Sequence, residues 1–441
     1  MRINRLSLEN FKLFERAEFE FHSQFNLLVG ANGSGKTSVL DGLAVALGIW
    51  LVRPPDPSLN GSRRNIHPQE IRLAPVRRGD RTQFRRVLPV RVTATGDLNS
   101  QHDVCWTREV REGSTRTSNA DADRALTIIQ TLYRRDAQET QTLPILANYG
   151  AGRAWLPSNE RVRPSSHAQQ PAFRWDAFYD CFSERIRGSD LVEWFRRETT
   201  AAGSRGGRAR PGFEAVKLAI QRCLPGATNL WYDDDSQDIV AMIDDRPNPF
   251  SNLSAGQRVL LATVGDIAIR AVTQNAHLLP PDDLESDAHT LPCVLAETPG
   301  VVLIDELDVH LHPEWQRGVP HTLMGTFPQV QFFCTTHSPQ VVGEAPPETV
   351  LLLRGNGAVH PIQAVGMDSN WILEHLMDAV PRDRDTLDRL VEIYRAIDAG
   401  ELLLARRLGV ALEQRLGVFP DLQAALSLLD RLELLAVEED Q

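Results

Sequence analysis

Apolar and polar residues alternate at 3–8 and 18–21, which predicts two strands, and the unbroken apolar run Phe25–Val29 predicts a buried one. A glycine-rich turn and an amphipathic helix follow. Residues 53–83, rich in proline, arginine and glycine, read as a loop or partly ordered insertion. Segments 85–98 and 102–110 predict paired strands, 121–139 a helix, and 143–153 a strand ending in a glycine turn. Residues 154–172 read as a loop. Helical spacing returns at 173–198 and 212–223, split by the flexible-looking TTAAGSRGGRARPG. A hairpin is expected at 227–244, a helix from about Ala255 to Gln274, and a polar loop to about 290. GVVLID and VQFFCTT read as buried strands, and TVLLLR and AVHPI close the core. From Asp368 onward the spacing is helical. Leu387, Leu390, Val391, Tyr394 and Ile397 line one face, and Leu422, Leu426, Leu429 and Leu432 another.

Composition adds bounds to this pattern. The 441 residues are 42% hydrophobic and 24% charged, as expected of a soluble globular chain with two or three domains' worth of core. No apolar run reaches the ~18 residues of a membrane span. The opening MRINRLSLENFKLFE reads as neither a signal nor a transit peptide. Five cysteines without CxxC spacing argue against zinc or a disulfide framework and fit a reducing cytoplasm.

The net charge of -11 is unevenly spread. Arg53 to Arg91 holds ten arginines against three acids, whereas the chain after Val365 holds sixteen acids against eight arginines. The first segment is expected to meet DNA phosphate, through Arg63, Arg64, Arg77 and Arg78 among others; the second is not. Lysine is confined to Lys12, Lys36 and Lys217. A lysine retained inside a glycine loop points to a place a planar guanidinium does not fit.

That loop, GANGSGKT from Gly30 to Thr37, matches G-x-x-x-x-G-K-[ST] between a buried strand and a helix. Asn32, Gly33, Ser34 and Gly35 would turn backbone N–H groups around phosphates at a helix N-terminus, with Ser38 following. Lys36 would reach the β- and γ-phosphates of ATP, and Thr37 would ligate Mg²⁺. Phosphoryl chemistry also needs a carboxylate facing the loop. VVLID supplies Asp305 at a strand end as the second Mg²⁺ ligand, and Glu306, one residue on, as the candidate general base. His310 and His312 raise a zinc alternative, but no third ligand of suitable spacing follows. In NLSAGQR, Ser254 and the Gly256 backbone could donate to a phosphate, although a capped helix would look the same. The strand FFCTT ends at His337, which could touch a γ-phosphate.

The order of these pieces resembles the ABC-type ATPase heads of the SMC and RecF-like class, over roughly residues 1–365. The resemblance implies an α/β fold: a P-loop mixed sheet, an antiparallel β subdomain, a helical insertion at about 154–226 and a C-terminal helical extension at 366–441 that carries a partner. It places Lys12, after Asn-Phe of the first hairpin, near the nucleotide. It implies a homodimer or higher oligomer in which ATP is sandwiched between one chain's phosphate loop and Ser254, Gly256 and Gln257 of another, with Asp308 at the seam. Two departures stand out. LPILANYGAGR lacks the expected Mg²⁺-contacting glutamine and leaves its equivalent open, Asn148 being one candidate, and Ala255 stands where glycine is commoner.

LPILANYGAGR, DELDVHLHPEWQ and GMDSNWILEHLMD further resemble the compact ATPases of Septu-type anti-phage systems and their retron-linked relatives. This implies a cytoplasmic, ATP- and Mg²⁺-dependent subunit that works with a separately encoded HNH-type nuclease. No nuclease motif is found in this chain, and the acidic YDDDSQDIVAMIDD reads as a solvated hairpin. The alternatives are a RecF-like DNA repair clamp and, less in keeping with the N-terminal hairpin and helical tail, a transporter engine.

Overall fold

The computed structural model describes residues 1–78, 81–134, 141–154, 174–281, 290–355, 357–360, 366–377 and 383–439. The chain divides into two compact units, Met1–Ile372 and Leu373–Gln441.

The first unit opens with an antiparallel hairpin, β1 (Arg2–Phe11) and β2 (Phe14–Glu20). β3 (Phe25–Val29) runs into α1 (Lys36–Leu47). A ribbon of β4 (Leu73–Arg78) and β5 (Arg81–Arg86) forms its own two-stranded sheet. Then come β6 (Val90–Leu98), β7 (Gln101–Val110), β8 (Ser118–Ala120), α2 (Asp123–Leu132) and β9 (Ile145–Tyr149). Helices α3 (Gly188–Gly203) and α4 (Pro211–Cys223) precede a three-stranded sheet of β10 (Ala227–Asp233), β11 (Asp238–Ile243) and β12 (Arg246–Pro249). α5 (Ala255–Gln274) and the short α6 (Cys293–Ala296) follow. β13 (Gly300–Ile304), α7 (Pro313–Thr326), β14 (Val330–Thr335), α8 (Pro339–Glu344), β15 (Val350–Arg354) and β16 (Gly357–Val359) complete the sheet, and α9 (Ser369–His375) comes after it.

Eleven strands share one sheet in the order β8-β7-β6-β1-β2-β16-β15-β3-β14-β13-β9. The neighbours β15, β3, β14, β13 and β9 pair in parallel. β3, β14, β13 and β9 are buried at every position, as strands covered on both faces must be. The other arm, β2 through β8, is antiparallel. The mixed sheet with an antiparallel subdomain is the architecture expected of an ABC-type head.

α1 has no polar face: every residue except Thr37 is buried, so it sits inside the core rather than on it. At its C-terminal end a single N–H, that of Gly48, is shared among the carbonyls of Ala44, Val45 and Ala46. Trp106 Nε1 donates to Ala46 O at 3.0 Å and Arg108 Nη1 to Val45 O at 3.2 Å, so two residues of β7 close that end. The second unit holds α10 (Arg384–Asp398), α11 (Leu402–Leu416) and α12 (Pro420–Glu439), which enclose their own core of Leu390, Ile393, Ala405, Leu412, Leu422 and Leu429.

Several expectations change. The segment expected as a loop at 53–83 contains β4, which pairs with β5 and is largely solvated, so no period-2 apolar pattern marked it. The helix expected from 173 starts at Gly188 and runs to Gly203, into the segment read as flexible. In α10 the buried stripe is Leu390, Ile393 and Ile397, while Val391 and Tyr394, one step round the helix, are exposed. The expectations for 135–139, for most of 154–172, for 282–289, for Pro361 and Ile362 and for the Arg78 side chain fall outside the described residues.

Arg64, expected among the DNA-contacting arginines, is instead buried. Its guanidinium pairs with Glu70 and, at 3.4 Å, with Asp41 of α1. Removing one member of a buried pair strands the other charge, at a cost of about 3–5 kcal/mol. Arg64→Ala should therefore lower the denaturation midpoint markedly, whereas Arg77→Ala on the exposed ribbon should leave it unchanged; equal midpoints for both would contradict the buried role.

Candidate nucleotide site

β3 ends at Val29 and the chain turns through Gly30–Gly35 into α1. Gly35 has φ +101°, and a Cβ there would lie 2.5 Å from the Phe14 ring, so only glycine serves. The turn folds Lys36 back on itself: Nζ donates to Gly30 O at 2.8 Å and Ala31 O at 3.2 Å. Burial pulls its pKa below the usual lysine value, against the opposing pull of Asp305, Glu306 and Asp308. The buried Ser34 Oγ has no partner among the described residues, and no side chain caps the N-terminus of α1. A cation short of counter-charge, an unpaired hydroxyl and an open helix N-terminus converge in one turn, which fits an incoming polyphosphate. Asn32 and Gly33 are exposed in the same loop, and Ser38 is buried behind it.

Thr37 is the single exposed residue of α1, and its Oγ1 donates to Asp305 Oδ2 at 3.0 Å. The two come from opposite sides of β14, since β3 and β13 flank that strand. Thr335, at the end of β14, fills the gap. Its Oγ1 donates to Asp305 Oδ1 at 2.5 Å and accepts from Glu306 N at 2.7 Å. A hydroxyl and a carboxylate in contact at the mouth of a phosphate turn are a donor set that fits Mg²⁺. Glu306 follows with φ +53°, the left-handed region that non-glycine residues rarely occupy. The turn closes through Asp308, whose Oδ1 accepts from Thr336 Oγ1 at 2.5 Å and from His337 N at 3.2 Å. The His337 side chain is exposed beside it.

The remaining candidates lie elsewhere. Ser254 is the exposed N-cap of α5, in a reciprocal box with Gln257: Gln257 N donates to Ser254 Oγ at 3.3 Å and Ser254 N to Gln257 Oε1 at 2.9 Å. Gly256 is buried against the turn after Asp308, where a Cβ would meet His310 O at 2.3 Å. The signature segment and the carboxylate turn are therefore packed as one body. Lys12 is held by Asp41 in an ion pair. His312 caps α7, its Nδ1 accepting from Glu314 N at 3.4 Å, and no metal-binding cluster of three or more His, Cys, Asp or Glu exists among the described residues. Asn148 is buried on β9 and lines a cavity beside α5.

Sequence reasoning missed Thr335, Arg153 and Tyr149. Tyr149 O accepts from Asp305 N at 2.8 Å, and its hydroxyl donates to Asp266 Oδ2 on α5 at 2.6 Å. The link ties the strand end to the signature helix. A paired threonine at the end of a buried strand was the available signal for Thr335; for the other two, partners far along the chain were needed.

A family described as "AAA domain" matches residues 5–192, and one described as "AAA domain, putative AbiEii toxin, Type IV TA system" matches 229–343. The chain is 32% identical over 230 residues to the "Retron Ec83 probable ATPase" of Escherichia coli, covering 51% of this chain and 40% of that one. It is 22% identical over 402 residues to the "Retron Vc95 probable ATPase" of Vibrio cholerae serotype O1 biovar El Tor, covering 80% and 73%. A "Septu protein PtuA" of Bacillus thuringiensis matches at 37% over 71 residues, 16% and 15% of the two chains. The chain thus spans less than half the length of the Ec83 relative and about three quarters of the Vc95 one. The matches are to AAA domains and to proteins named as retron ATPases or Septu proteins.

Proposed function

We propose that the chain is the ATP-hydrolysing, cytoplasmic subunit of an anti-phage defence complex and controls a separately encoded HNH-type nuclease. The observation that carries the ATPase half is the Thr37–Asp305 contact with Glu306 one residue beyond it. The kinship with retron and Septu proteins supports the defence half. In the reaction, Lys36 binds the β- and γ-phosphates. Thr37 and Asp305 would hold Mg²⁺, which would neutralise charge on the phosphate oxygens. Glu306 accepts a proton from the water whose oxygen attacks the γ-phosphorus as the bond to the leaving ADP oxygen breaks. His337, exposed next to Asp308, contacts the γ-phosphate.

The same reading completes the site from a second copy. Ser254, Gly256 and Gln257 begin a 20-residue helix whose exposed N-terminus attracts anions. Ser254 and Gln257 make their capping bonds to each other, so the segment would serve the γ-phosphate of ATP held by the partner chain, giving a homodimer or higher oligomer. Asp308 would then lie near the seam.

Glu306→Gln keeps shape and hydrogen bonding but cannot accept the proton. ATP turnover should fall ~10²–10⁴-fold while nucleotide binding persists and the ATP-bound oligomer accumulates; Lys36→Ala should lose binding instead. Wild-type turnover in Glu306→Gln would falsify the base assignment.

The ribbon β4–β5 supports a DNA contact, and with it the alternative of a RecF-like clamp. Arg77, Arg81, Arg85 and Arg86 are exposed there, and Phe84 is 67% exposed, in a chain that is otherwise acidic. Replacing the four arginines by Ala should weaken duplex binding and flatten its salt dependence, since each phosphate neutralised contributes about 0.9 to the slope. An unchanged slope sinks the contact.

The C-terminal unit fits the partner. Its helices enclose a core, yet Leu403, Leu416 and Val418 remain exposed. Removing 373–441 should abolish co-purification of the nuclease while fluorescent ATP analogues still bind. Continued co-purification would place the partner elsewhere.

A further inference from the structure

Three residues past Gly150, which follows β9, Arg153 enters the core with only 3% of its surface exposed. Among the described residues no carboxylate pairs with it, and its guanidinium donates only to backbone carbonyls: Nη1 to Gly150 O at 3.1 Å and to Asp305 O, and Nη2 to Glu306 O at 2.7 Å. A buried cation spent on three carbonyls is an unusual use of charge, because burial disfavours the charged form. Burial does hold this guanidinium below its ordinary pKa, partly offset by Cys334, Asp305, Glu306 and Asp308.

The bonded carbonyls are informative. They belong to the residues proposed as the Mg²⁺ ligand and the base. Glu306 is in the left-handed backbone region, a conformation that costs of order 1–3 kcal/mol and persists only where surrounding contacts impose it. From the sheet side, Thr335 Oγ1 accepts Glu306 N, and Thr335 O accepts Leu307 N at 2.8 Å. Glu306 O also accepts Val309 N at 3.1 Å. Arg153 supplies the clamp from the other direction and reaches both carbonyls with one rigid, planar group. A lysine, with a single nitrogen, cannot span them in the same way.

We propose that Arg153 is a positioning residue for ATP hydrolysis, fixing the Asp305–Glu306 backbone so that the Glu306 carboxylate is pre-set for the attacking water. It touches no reacting atom and acts through Glu306. The inference rests on the assignment of Glu306 as base, and the test separates the two.

Arg153→Met keeps the buried stem without the clamp, and Arg153→Lys keeps the charge with one donor nitrogen. Misplacement of a catalytic group by about 1 Å costs ~10²-fold, so both variants should show kcat reduced ~10²-fold, with the affinity for a fluorescent ATP analogue and KM within a few-fold of wild type. Should Arg153→Met fail to fold, as a melting curve would reveal, Arg153→Lys carries the test. The second readout is the double variant with Glu306→Gln. If Arg153 works through Glu306, Arg153→Lys should slow Glu306→Gln little or not at all. Wild-type kcat in Arg153→Lys overturns the proposal, as does a full additional loss on top of Glu306→Gln, which would mark a general structural role. If Glu306→Gln alone turns over normally, the base assignment fails first, and any kcat loss in the Arg153 variants then belongs to another group.

Discussion

The hydrogen-bonded chain Thr37–Asp305–Thr335 is the contact on which the proposed chemistry depends. The strand that delivers the phosphate loop, β3, and the strand that delivers the carboxylates, β13, are not neighbours. β14 lies between them, and their ends meet at the sheet's carboxyl edge, the place where open parallel sheets bind ligands. Thr335, at the end of β14, spans the distance between them. It fixes the Asp305 carboxylate against Thr37 and receives the N–H of Glu306. The geometry is paid for by burial: every position of these strands and all of α1 but Thr37 are out of solvent, so the edge is held by a rigid core.

The same strand ends reach outward to the segment proposed to complete the site. Tyr149 bridges Asp305 N to Asp266 on α5, and burial and the Asp266 carboxylate push its phenol well above its usual pKa, so it stays a proton donor. At the head of α5, Gly256 packs against His310 O. A shift at the carboxylate turn therefore has two rigid routes to the signature helix. That gives physical content to the proposal that nucleotide state is read by another chain: the elements that would sense the γ-phosphate and those that would meet a partner's nucleotide are mechanically joined.

Much of this was legible in the sequence because it is local. The phosphate loop, the apolar runs ending at Asp305 and Thr335, and α5 from Ala255 to Gln274 each announce themselves by spacing within about twenty residues. What could not be read was non-local. Arg64 looked like one more member of an arginine-rich surface, yet its partners Glu70 and Asp41 bury it. Lys12 looked poised for a phosphate, and Asp41 holds it. Arg153 closed a strand-turn motif with no visible role until Asp305 and Glu306, about 150 residues later, brought their carbonyls to it. The ribbon β4–β5 escaped because strands solvated on both faces leave no alternation to find.

The central claim is that one working site takes its phosphate loop from one chain and its Ser254 from another. Mixing two inactive variants tests it most directly. Lys36→Ala lacks the phosphate grip but keeps Ser254; Ser254→Arg lacks the signature but keeps Lys36. If sites are shared, a mixed dimer contains one site with both intact halves, and an equimolar mixture should recover up to about a quarter of wild-type ATP turnover under random pairing in a two-fold dimer. A mixture no more active than its components, or a Ser254→Arg protein that hydrolyses normally alone, would contradict the shared site.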